Sequence, residues 1–324
     1  MTVFAFAGNP VADTSPHIER SVSIEPGVSL EVLEWGGHGP PVVLLTGIGN
    51  TAHVYDDLAP RLARDFHVFG ITRRGYGRSS AAPSGLTIDR LAEDVAIVLD
   101  SLHLDRPVLI GHSLGTMELV VLGTRRSARL HGLVFLDGPY DDGYPDILAA
   151  VVAFDSLPLP PRRTDTDRAS YRALQAADVR RDGYTTPIGE YEARYARSAD
   201  GLLRSPPGGI DLDSVWATIP FPLQLQRIPV PALAIYSLWE GPVDRMVPYF
   251  PQLDSTEQAA ARALHARWAP GGRDEVRRRQ MERFRHQMPH GEAVGISGAP
   301  HYAFLSHTEV VYRYIHRFLR RLKE

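Results

Sequence analysis

The sequence predicts an α/β layer fold in which helices flank a mostly parallel sheet. Two observations predict it: short, continuously apolar runs alternate with helical patterns, and the runs are rich in Val, Ile, Leu and aromatic residues. Such runs suit strands that are covered on both faces, as in a parallel sheet. Alternation of this kind requires right-handed crossovers, and it predicts a functional site beyond the carboxyl ends of the strands.

The sequence predicts one antiparallel hairpin and six parallel strands. Residues Ser21 to Trp35 alternate apolar and polar across a turn at Pro26-Gly27, so we expect an antiparallel hairpin at one edge of the sheet. The candidate parallel strands are Val42–Leu45, His67–Ile71, Val108–Ile110, Leu133–Leu136, Ala232–Tyr236 and Ala293–Ile296.

Helical periodicity fills the spaces between these strands. The clearest stripe comprises Ile88, Leu91, Val95, Val98 and Leu102. A second stripe predicts a terminal amphipathic helix and comprises Val310, Val311, Tyr314, Ile315, Phe318, Leu319 and Leu322. The arginine-rich stretch Arg273–Arg285 is interpreted as a solvated helix face, because acidic residues are interspersed in it.

The alternation is interrupted by an insertion of about ninety residues, 139–229. A structureless loop of that length is improbable, so we expect a mostly helical cap over the carboxyl edge of the sheet. The core domain then comprises residues 1–138 and 230–324. Phe154, Tyr171, Trp216 and Phe221 are candidate pocket aromatics, and they suggest a largely apolar substrate moiety.

Composition limits the partners. The 324 residues carry 35 Lys and Arg against 38 Asp and Glu, so no basic field attracts nucleic acid. No apolar run is long enough to span a membrane, and Met1 to Pro10 lacks a basic secretory start. We therefore expect a soluble protein, either cytoplasmic or exported with its leader no longer present. The absence of cysteine excludes disulfides, and the sequence is silent on oligomeric state.

A nucleophile motif stands at the third candidate parallel strand. Gly111-His112-Ser113-Leu114-Gly115 follows Val108–Ile110 and precedes a helix-compatible run, which is the strand-turn-helix setting that G-x-S-x-G requires. A serine at such a sharp turn leaves no room for a Cβ two residues to either side, and the glycines provide that room. The hydroxyl of Ser113 is thereby expected at the carboxyl edge of the sheet.

In these residues the chain resembles the α/β-hydrolase superfamily, over nearly its whole length. The resemblance implies a mostly parallel eight-stranded sheet with a helical cap. The segment Leu44 to Asn50 resembles the family's oxyanion loop, although Thr46 stands where histidine is usual. By resemblance, the N–H groups of Ile48 and Leu114 form the oxyanion hole.

A serine nucleophile needs a histidine base, and the order used by the family places it late in the chain. His301 fits, because it follows the strand Ala293–Ile296 and a turn, and similar hydrolases carry their base in this loop. His112 adjoins the nucleophile, but its side chain is expected to point away. No spacing such as H-E-x-x-H appears, so neither a metal nor another cofactor is expected.

The triad acid has two candidates. Asp137 ends the strand Leu133–Leu136, and Glu240 follows the strand Ala232–Tyr236; relatives use both positions. Asp137 is preferred, because Glu240 replaces the more usual aspartate and lies unusually far from His301. Asp244 is a distant third. Either acid would hold the imidazole tautomer and stabilise the imidazolium.

Glu118 lies five residues after the nucleophile on a face that is expected to be buried. We expect an ion pair with an arginine such as Arg74 or Arg78, because an unpaired carboxylate would be costly there. A role in selecting substrate is the alternative.

The sequence thus predicts a carboxylesterase-like serine hydrolase that cleaves a small-molecule ester through an acyl-enzyme. An acyltransferase or perhydrolase on the same triad is an alternative, and a non-catalytic ligand-binding protein is a further one. A serine at position 113 disfavours dehalogenase and epoxide-hydrolase chemistry, which uses a carboxylate nucleophile.

Overall fold

One sheet runs through the chain in this computed structural model, which describes residues 4–5, 13–83, 85–140, 163–206, 208–238, 256, 259 and 272–323. Its nine strands are β1 (Phe4–Ala5), β2 (Ile18–Glu25), β3 (Val28–Gly36), β4 (Pro41–Leu45), β5 (His67–Ile71), β6 (Val108–His112), β7 (Gly132–Leu136), β10 (Ala232–Leu238) and β11 (Gly291–Ser297). A separate short pair consists of β8 (Ala196–Arg197) and β9 (Leu203–Arg204).

The strand order is β1-β2-β3-β5-β4-β6-β7-β10-β11. Pairing is antiparallel from β1 through β5 by way of the β2–β3 hairpin, and parallel from β5 to β11. The eight longer strands confirm the predicted mostly parallel sheet, and the two-residue β1 adds to its antiparallel edge. Each predicted strand lies within three residues of its observed bounds.

The described helices are α1 (Ala59–Leu62), α2 (Ile88–Ser101), α3 (Leu114–Arg125), α4 (Tyr171–Asp182), α5 (Ile188–Arg194), α6 (Leu212–Trp216), α7 (Gly272–Gln287), α8 (Ala303–Ser306) and α9 (Thr308–Arg321). Short 3₁₀ helices span Ala52–Tyr55, Ser127–Arg129 and Leu225–Arg227. None of the helices described here is long and apolar enough to cross a membrane.

The sheet is buried on both faces, which explains its continuously apolar strands. On β4, Val43 and Leu45 pack into a core shared with α2, α3 and α7, whereas Val42 and Leu44 pack into a second core shared with α1 and α9. Successive side chains of a strand point to opposite faces, so each parallel strand contributes to both cores.

Part of the segment between β7 and β10 forms a small unit of its own. Leu174 of α4, Tyr191 of α5 and Leu203 of β9 make a separate apolar cluster. The buried Glu190 of α5 bonds to Asn50 and Thr51, beside the 3₁₀ helix Ala52–Tyr55. This helical unit therefore packs on the loop that follows β4.

Candidate active site

Two functional candidates lie side by side at the carboxyl edge of the sheet. His112 of β6 and Leu136 of β7 are partners in the parallel register, so the next residues, Ser113 and Asp137, leave adjacent strand ends. The Ser113 N–H donates to the carbonyl oxygen of Leu136 at 3.1 Å. Both residues have positive φ, 51° for Ser113 and 46° for Asp137, a conformation that residues other than glycine rarely adopt.

The turn at Ser113 depends on the two flanking glycines. A Cβ on Gly111 would lie 2.7 Å from the carbonyl of Gly115, and a Cβ on Gly115 would lie 2.9 Å from the carbonyl oxygen of Leu45. Both contacts are with backbone, which cannot swing aside. The pattern G-x-S-x-G is therefore a steric condition for the backbone of β6, α3 and the end of β4 to approach so closely.

The candidate acid Asp137 and the candidate base His301 are in direct contact. Asp137 Oδ2 lies 2.5 Å from Nδ1 of His301, which follows β11 at the same edge of the sheet. Because an ionised carboxylate can only accept, Nδ1 carries the hydrogen of this bond and Nε2 is left as the proton acceptor. Asp137 is 2% exposed and the side chain of His301 is 30% exposed, so the imidazole is partly accessible while its carboxylate partner is buried.

Two further groups fix the carboxylate of Asp137. The N–H of Ser237 donates to Oδ1 at 3.0 Å, and Arg277 Nη2 donates to Oδ2 at 3.1 Å. Arg277 is 7% exposed and stacks over the ring of Tyr140, with its guanidinium 4.7 Å from the ring centroid. Arg277 therefore forms a buried ion pair with Asp137 and holds its carboxylate in place.

Arg277 corrects the interpretation of Arg273–Arg285 as a solvated face. Some residues of that stretch are exposed, but α7 also has a buried stripe that comprises Arg277, Gln280, Met281 and Phe284, and Met288 continues it just after the helix. The spacing of three and four residues was visible in the sequence, yet the run of arginines obscured it.

The other candidate acids, Glu240 and Asp244, are outside the described residues, and so is the candidate pocket residue Phe154. Among the candidate acids, the contact with His301 can therefore be described for Asp137.

His112 links the turn at Ser113 to His301. Its Nε2 donates to the carbonyl oxygen of His301 at 3.0 Å, and the two imidazole rings lie 4.5 Å apart between centroids. Burial and the neighbouring His301 lower the pKa of His112 to about 3, so this imidazole is neutral. Between the Ser113 hydroxyl and the His301 ring, both of them described, there is no hydrogen bond; the backbones of the two residues are joined through His112.

The expected oxyanion donors flank Ser113. Leu114 is the first residue of α3, where the N–H has no partner within the helix. Ile48 lies in the loop after β4, and a Cβ on the preceding Gly47 would lie 3.3 Å from Cβ of Ser113. The loop therefore passes directly against the nucleophile.

A buried ion pair holds that loop. Arg73 donates to both carboxylate oxygens of Glu118, at 2.8 and 3.0 Å, and also to the carbonyl oxygens of Thr46 at 2.9 Å and Gly47 at 3.3 Å. Arg73 is 5% exposed and Glu118 is 2% exposed. An ion pair for Glu118 was expected, but the expected partners were wrong.

The arginines expected for Glu118 have other partners. Arg74 bonds to Asp94 through both Nε and Nη2, at 2.6 and 2.7 Å, and Arg78 pairs with Glu19. The interpretation failed because neighbouring arginines in a loop point in different directions, which a sequence does not reveal.

A polar cavity of about 220 Å³ lies between α4, α5 and the residue after the base. Tyr302 contributes to its wall and donates to Asn50 Oδ1 at 2.9 Å. Its arginines have acidic neighbours within 4 Å: the pairs are Arg163 with Asp178, Arg181 with Asp182, and Arg194 with Glu190. The lining is therefore charged and internally balanced.

The candidate pocket aromatics that the structure describes, Tyr171, Trp216 and Phe221, do not line this cavity. The ring of Trp216 stacks on Phe221 with an interplanar angle of 10°, and both pack against the core next to α2 and α3. Tyr171 packs in the cluster of Leu174 and donates to the carbonyl of Tyr195. These contacts favour a packing role for the three residues.

Comparison with known proteins agrees with this architecture. A family model described as the alpha/beta hydrolase fold matches residues 40–236. The chain is 32% identical over 102 residues to a putative non-heme haloperoxidase of Mycobacterium phage D29, which is 31% of this chain and 37% of that protein. It is 29% identical over 141 residues to the 2-(acetamidomethylene)succinate hydrolase of Mesorhizobium japonicum, or 44% of each protein.

The match to these curated relatives spans less than half of their length. A crystal structure of E-2-(acetamidomethylene)succinate hydrolase aligns with a TM-score of 0.63 at 20% identity, over 94% of this chain and 99% of that one, and it shows the shared fold. With the family match extending over more than half of the chain, from β4 through most of β10, the protein belongs to the α/β-hydrolase fold family.

Proposed function

We propose that this protein is a serine hydrolase that cleaves a carboxylic ester, or a closely related acyl bond, through an acyl-enzyme. The observation that carries the proposal is the 2.5 Å contact between Asp137 Oδ2 and His301 Nδ1, beside a strained turn that presents Ser113. The proposed nucleophile and acid follow the neighbouring strands β6 and β7, and the proposed base follows β11, which is separated from β7 by β10. The chain order is Ser, acid, His.

The reaction proceeds in two steps. His301 Nε2 takes the proton of Ser113 while Oγ attacks the carbonyl carbon, and the carbonyl oxygen becomes an oxyanion. The imidazolium then gives its proton to the departing alcohol, which leaves Ser113 acylated. Water repeats the sequence: His301 takes its proton, the hydroxide attacks the acyl carbon, and Ser113 recovers its proton as the acid departs.

Asp137 acts as the triad acid in this proposal. The carboxylate bonds to Nδ1–H, and this bond fixes the tautomer and becomes stronger when the imidazole is charged. Support comes from the donors Ser237 N–H and Arg277, which hold the carboxylate in place. Glu240 is not assigned a role.

The N–H groups of Ile48 and Leu114 are proposed to bind the oxyanion. The loop of Ile48 is fixed against Ser113 by Arg73, which bonds to the two preceding carbonyl oxygens. Preorganised donors of this kind stabilise charge that appears only in the tetrahedral intermediate. Each donor contributes about 10²- to 10³-fold in rate.

We also propose that residues 139–229 form a cap that restricts the substrate to a small molecule. The described part, 163–206 and 208–229, supports this through α5, which bonds to the loop after β4 near the site. The relatives named above differ in the substrates that their names give, so specificity is expected to reside in this segment.

The test is hydrolysis of p-nitrophenyl acyl esters with chains from about two to twelve carbons. Ser113→Ala is expected to lower kcat by at least about 10³-fold while the fold is retained, as judged by circular dichroism. Ser23→Ala, at an exposed position of β2, is the matched control and should keep full activity. Labelling by a fluorophosphonate at Ser113, located by peptide mass spectrometry, reports the nucleophile independently of the substrate.

Two outcomes would overturn the proposal. One is a folded wild-type protein that neither hydrolyses any ester nor reacts with the fluorophosphonate. The other is a Ser113→Ala variant with undiminished turnover. Adding methanol or hydrogen peroxide to the assay and analysing the products separates hydrolysis from acyl transfer.

A further inference from the structure

Four side chains with metal-binding atoms meet beside the loop that follows β4. Asp13 and His17 come from the segment before β2, and His53 and Asp56 come from the 3₁₀ helix Ala52–Tyr55 and its carboxyl end. Residues three apart on a 3₁₀ helix share a face, so His53 and Asp56 point the same way. One nitrogen or carboxylate oxygen from each of the four lies within 4.8 Å of the others.

The distances suit a tetrahedral cation. His53 Nδ1 lies 3.1 Å from Asp56 Oδ2 and 3.3 Å from Asp13 Oδ2. The Nδ1 atom of His17 lies 3.7 Å from Asp56 Oδ1, and its Nε2 atom lies 3.9 Å from Asp13 Oδ2. A tetrahedral zinc ion with bonds of about 2.1 Å separates its ligand atoms by about 3.4 Å, so small rotations would complete the site.

Two polar atoms of this cluster have no hydrogen-bond partner in the described part of the chain: Nδ1 of His17 and Oδ1 of Asp56. Their side chains are only 8% and 4% exposed, and the two atoms face each other. A protonated His53 between the two aspartates would explain the position of its own Nδ1. It would still leave Nδ1 of His17 and Oδ1 of Asp56 without a hydrogen-bond partner. A cation bound to all four residues would give both atoms a partner.

The surroundings orient the ligands. The N–H of Ser15 donates to Asp13 Oδ1 at 2.8 Å, so that Oδ2 is directed to the cluster. Helix α5 closes over it at Gly189, where a Cβ would lie 2.5 Å from Asp13 Oδ2 and 2.6 Å from Asp56 Oδ2. Outer contacts that fix ligand orientation are characteristic of built metal sites.

We propose that Asp13, His17, His53 and Asp56 form a closed site for one divalent cation of the zinc class. Two imidazoles and two carboxylates are a donor set for such an ion, and two neutral histidines with two carboxylates balance its charge. Four protein ligands leave no open position, so the ion is structural. It joins the segment before β2 to the 3₁₀ helix beneath α5, and this role is independent of the proposed ester hydrolysis.

The direct test uses the full-length protein after treatment with EDTA. Titration with Zn²⁺ in a calorimeter is expected to show one equivalent bound with a Kd below about 10⁻⁶ M. At Zn²⁺ about 100 times above Kd, Tm is expected to rise by roughly 4–8 °C. Co²⁺ should give the intense visible absorption of tetrahedral coordination.

Variants locate the ion. His53→Ala and, separately, His17→Ala are expected to weaken Zn²⁺ binding more than about 100-fold and to remove the rise in Tm. His316→Ala is the matched control, because His316 also pairs with an aspartate, Asp65, but on the surface. Asp56→Asn keeps the shape of the side chain and should still weaken binding if His53→Ala does not fold.

Wild-type protein that binds no equivalent of Zn²⁺ or Co²⁺ would overturn the proposal. Binding that all cluster variants retain would overturn it as well, since the ion would then be bound elsewhere. Neither readout depends on hydrolytic activity, so failure here is distinguishable from failure of the proposed function.

Discussion

At the scale of single residues, the site is built on two strained backbone positions. Ser113 and Asp137 have φ values of 51° and 46°, and each directly follows a parallel strand. Such conformations cost on the order of 1–3 kcal/mol each and persist only where the surroundings enforce them. Here the surroundings are the paired ends of β6 and β7, so the same sheet edge turns both side chains toward one place.

Asp137→Asn is expected to lower kcat by about 10³- to 10⁴-fold, because the amide can favour the wrong imidazole tautomer and cannot stabilise the imidazolium. Steady-state kinetics on the best p-nitrophenyl ester will measure the effect. Glu240→Gln is the matched control and is expected to change kcat less than threefold, or about 0.7 kcal/mol. A large loss in Glu240→Gln with activity retained in Asp137→Asn would transfer the acid role to Glu240.

Because the buried His112 is neutral, the free energy of unfolding is expected to decrease at acid pH. Its folded pKa of about 3 lies below the reference value of 6.5, so the unfolded chain binds one more proton between these pH values. Stability contributed by this group is therefore lost as pH falls through that window, by up to about 1.4 kcal/mol per unit. In His112→Gln, whose amide can still donate to the carbonyl of His301, this slope is expected to vanish.

Urea unfolding of both proteins at pH values from about 4 to 6 measures the difference in slope. Comparing wild type with variant cancels the groups that they share. Equal slopes would show that His112 takes up its proton in the folded state and that the buried Nδ1 has access to an acceptor.

Some residues of the candidate sites could be predicted from the sequence, and others could not. Ser113 and His301 could be proposed from sequence because a turn motif and the chain order carry them. The sequence favours Asp137 over Glu240 only through residue type and spacing, because both positions follow strands. Asp137 contacts His301, and Glu240 lies outside the described residues. The proposed metal site of Asp13, His17, His53 and Asp56 was not predicted from the sequence, because the four residues form two short pairs separated by 36 residues, from His17 to His53.

At the scale of elements, the pair of Arg73 and Glu118 joins three parts of the fold. Arg73 follows β5, Glu118 lies on α3, and the carbonyls of Thr46 and Gly47 begin the loop after β4. One guanidinium thus bonds to the helix that starts at the nucleophile and to the loop that carries Ile48. Its planar fork of donors suits this arrangement, which lysine could not reproduce.

Arg73→Met is expected to lower the free energy of unfolding by about 3–5 kcal/mol, because Glu118 is left buried without its partner. In the double variant Arg73→Met with Glu118→Leu, stability should return to within about 2 kcal/mol of wild type. The kcat of the double variant should remain about tenfold low or lower, because the loop carbonyls still lack their donor. Urea unfolding and ester kinetics measure the two quantities.

The control is Arg126→Met, which breaks the exposed pair with Glu93. Exposed pairs contribute at most about 1 kcal/mol, so this variant should resemble wild type. If the double variant regains wild-type kcat together with its stability, the pair stabilises the core without positioning the loop.

Strands and helices were predicted well wherever burial produces a regular spacing of apolar residues. The strands of the parallel sheet pack on both faces, so their apolar runs coincide with β4 to β7, β10 and β11. The end of α7 and the partners of Glu118 were less predictable, since charged side chains dominate those segments and direction is set by tertiary contacts. The division into core and cap remains a prediction.

At the scale of the whole molecule, α5 connects the segment between β7 and β10 to the loop after β4 through one buried acid. Glu190 is 1% exposed and accepts from Asn50 Nδ2 at 2.9 Å, from the Thr51 N–H at 3.1 Å and from Thr51 Oγ1 at 2.5 Å. Burial raises its pKa to about 7, although Arg194 and these hydrogen bonds oppose the rise. The connection is therefore most stable when Glu190 is protonated.

The sign of this effect is opposite to that of His112. Between the reference value of 4.5 and about 7 the folded chain binds the extra proton, so stability from Glu190 is lost as pH rises through that window. Glu190→Gln resembles the protonated acid and should remove the loss. Relative to wild type, the variant should therefore gain stability from pH 5 to pH 8, by about 1–3 kcal/mol.

The two terms overlap between pH 4.5 and 6.5, where their slopes oppose each other. Urea unfolding of wild type, His112→Gln, Glu190→Gln and the double variant measures the free energy of unfolding at each pH. Relative to wild type, this free energy should rise with pH in Glu190→Gln and fall with pH in His112→Gln. The double variant should match wild type in slope, because each change removes one of two opposing proton uptakes. A double variant whose slope departs from that sum would mean that the two buried groups titrate as a coupled pair and not independently.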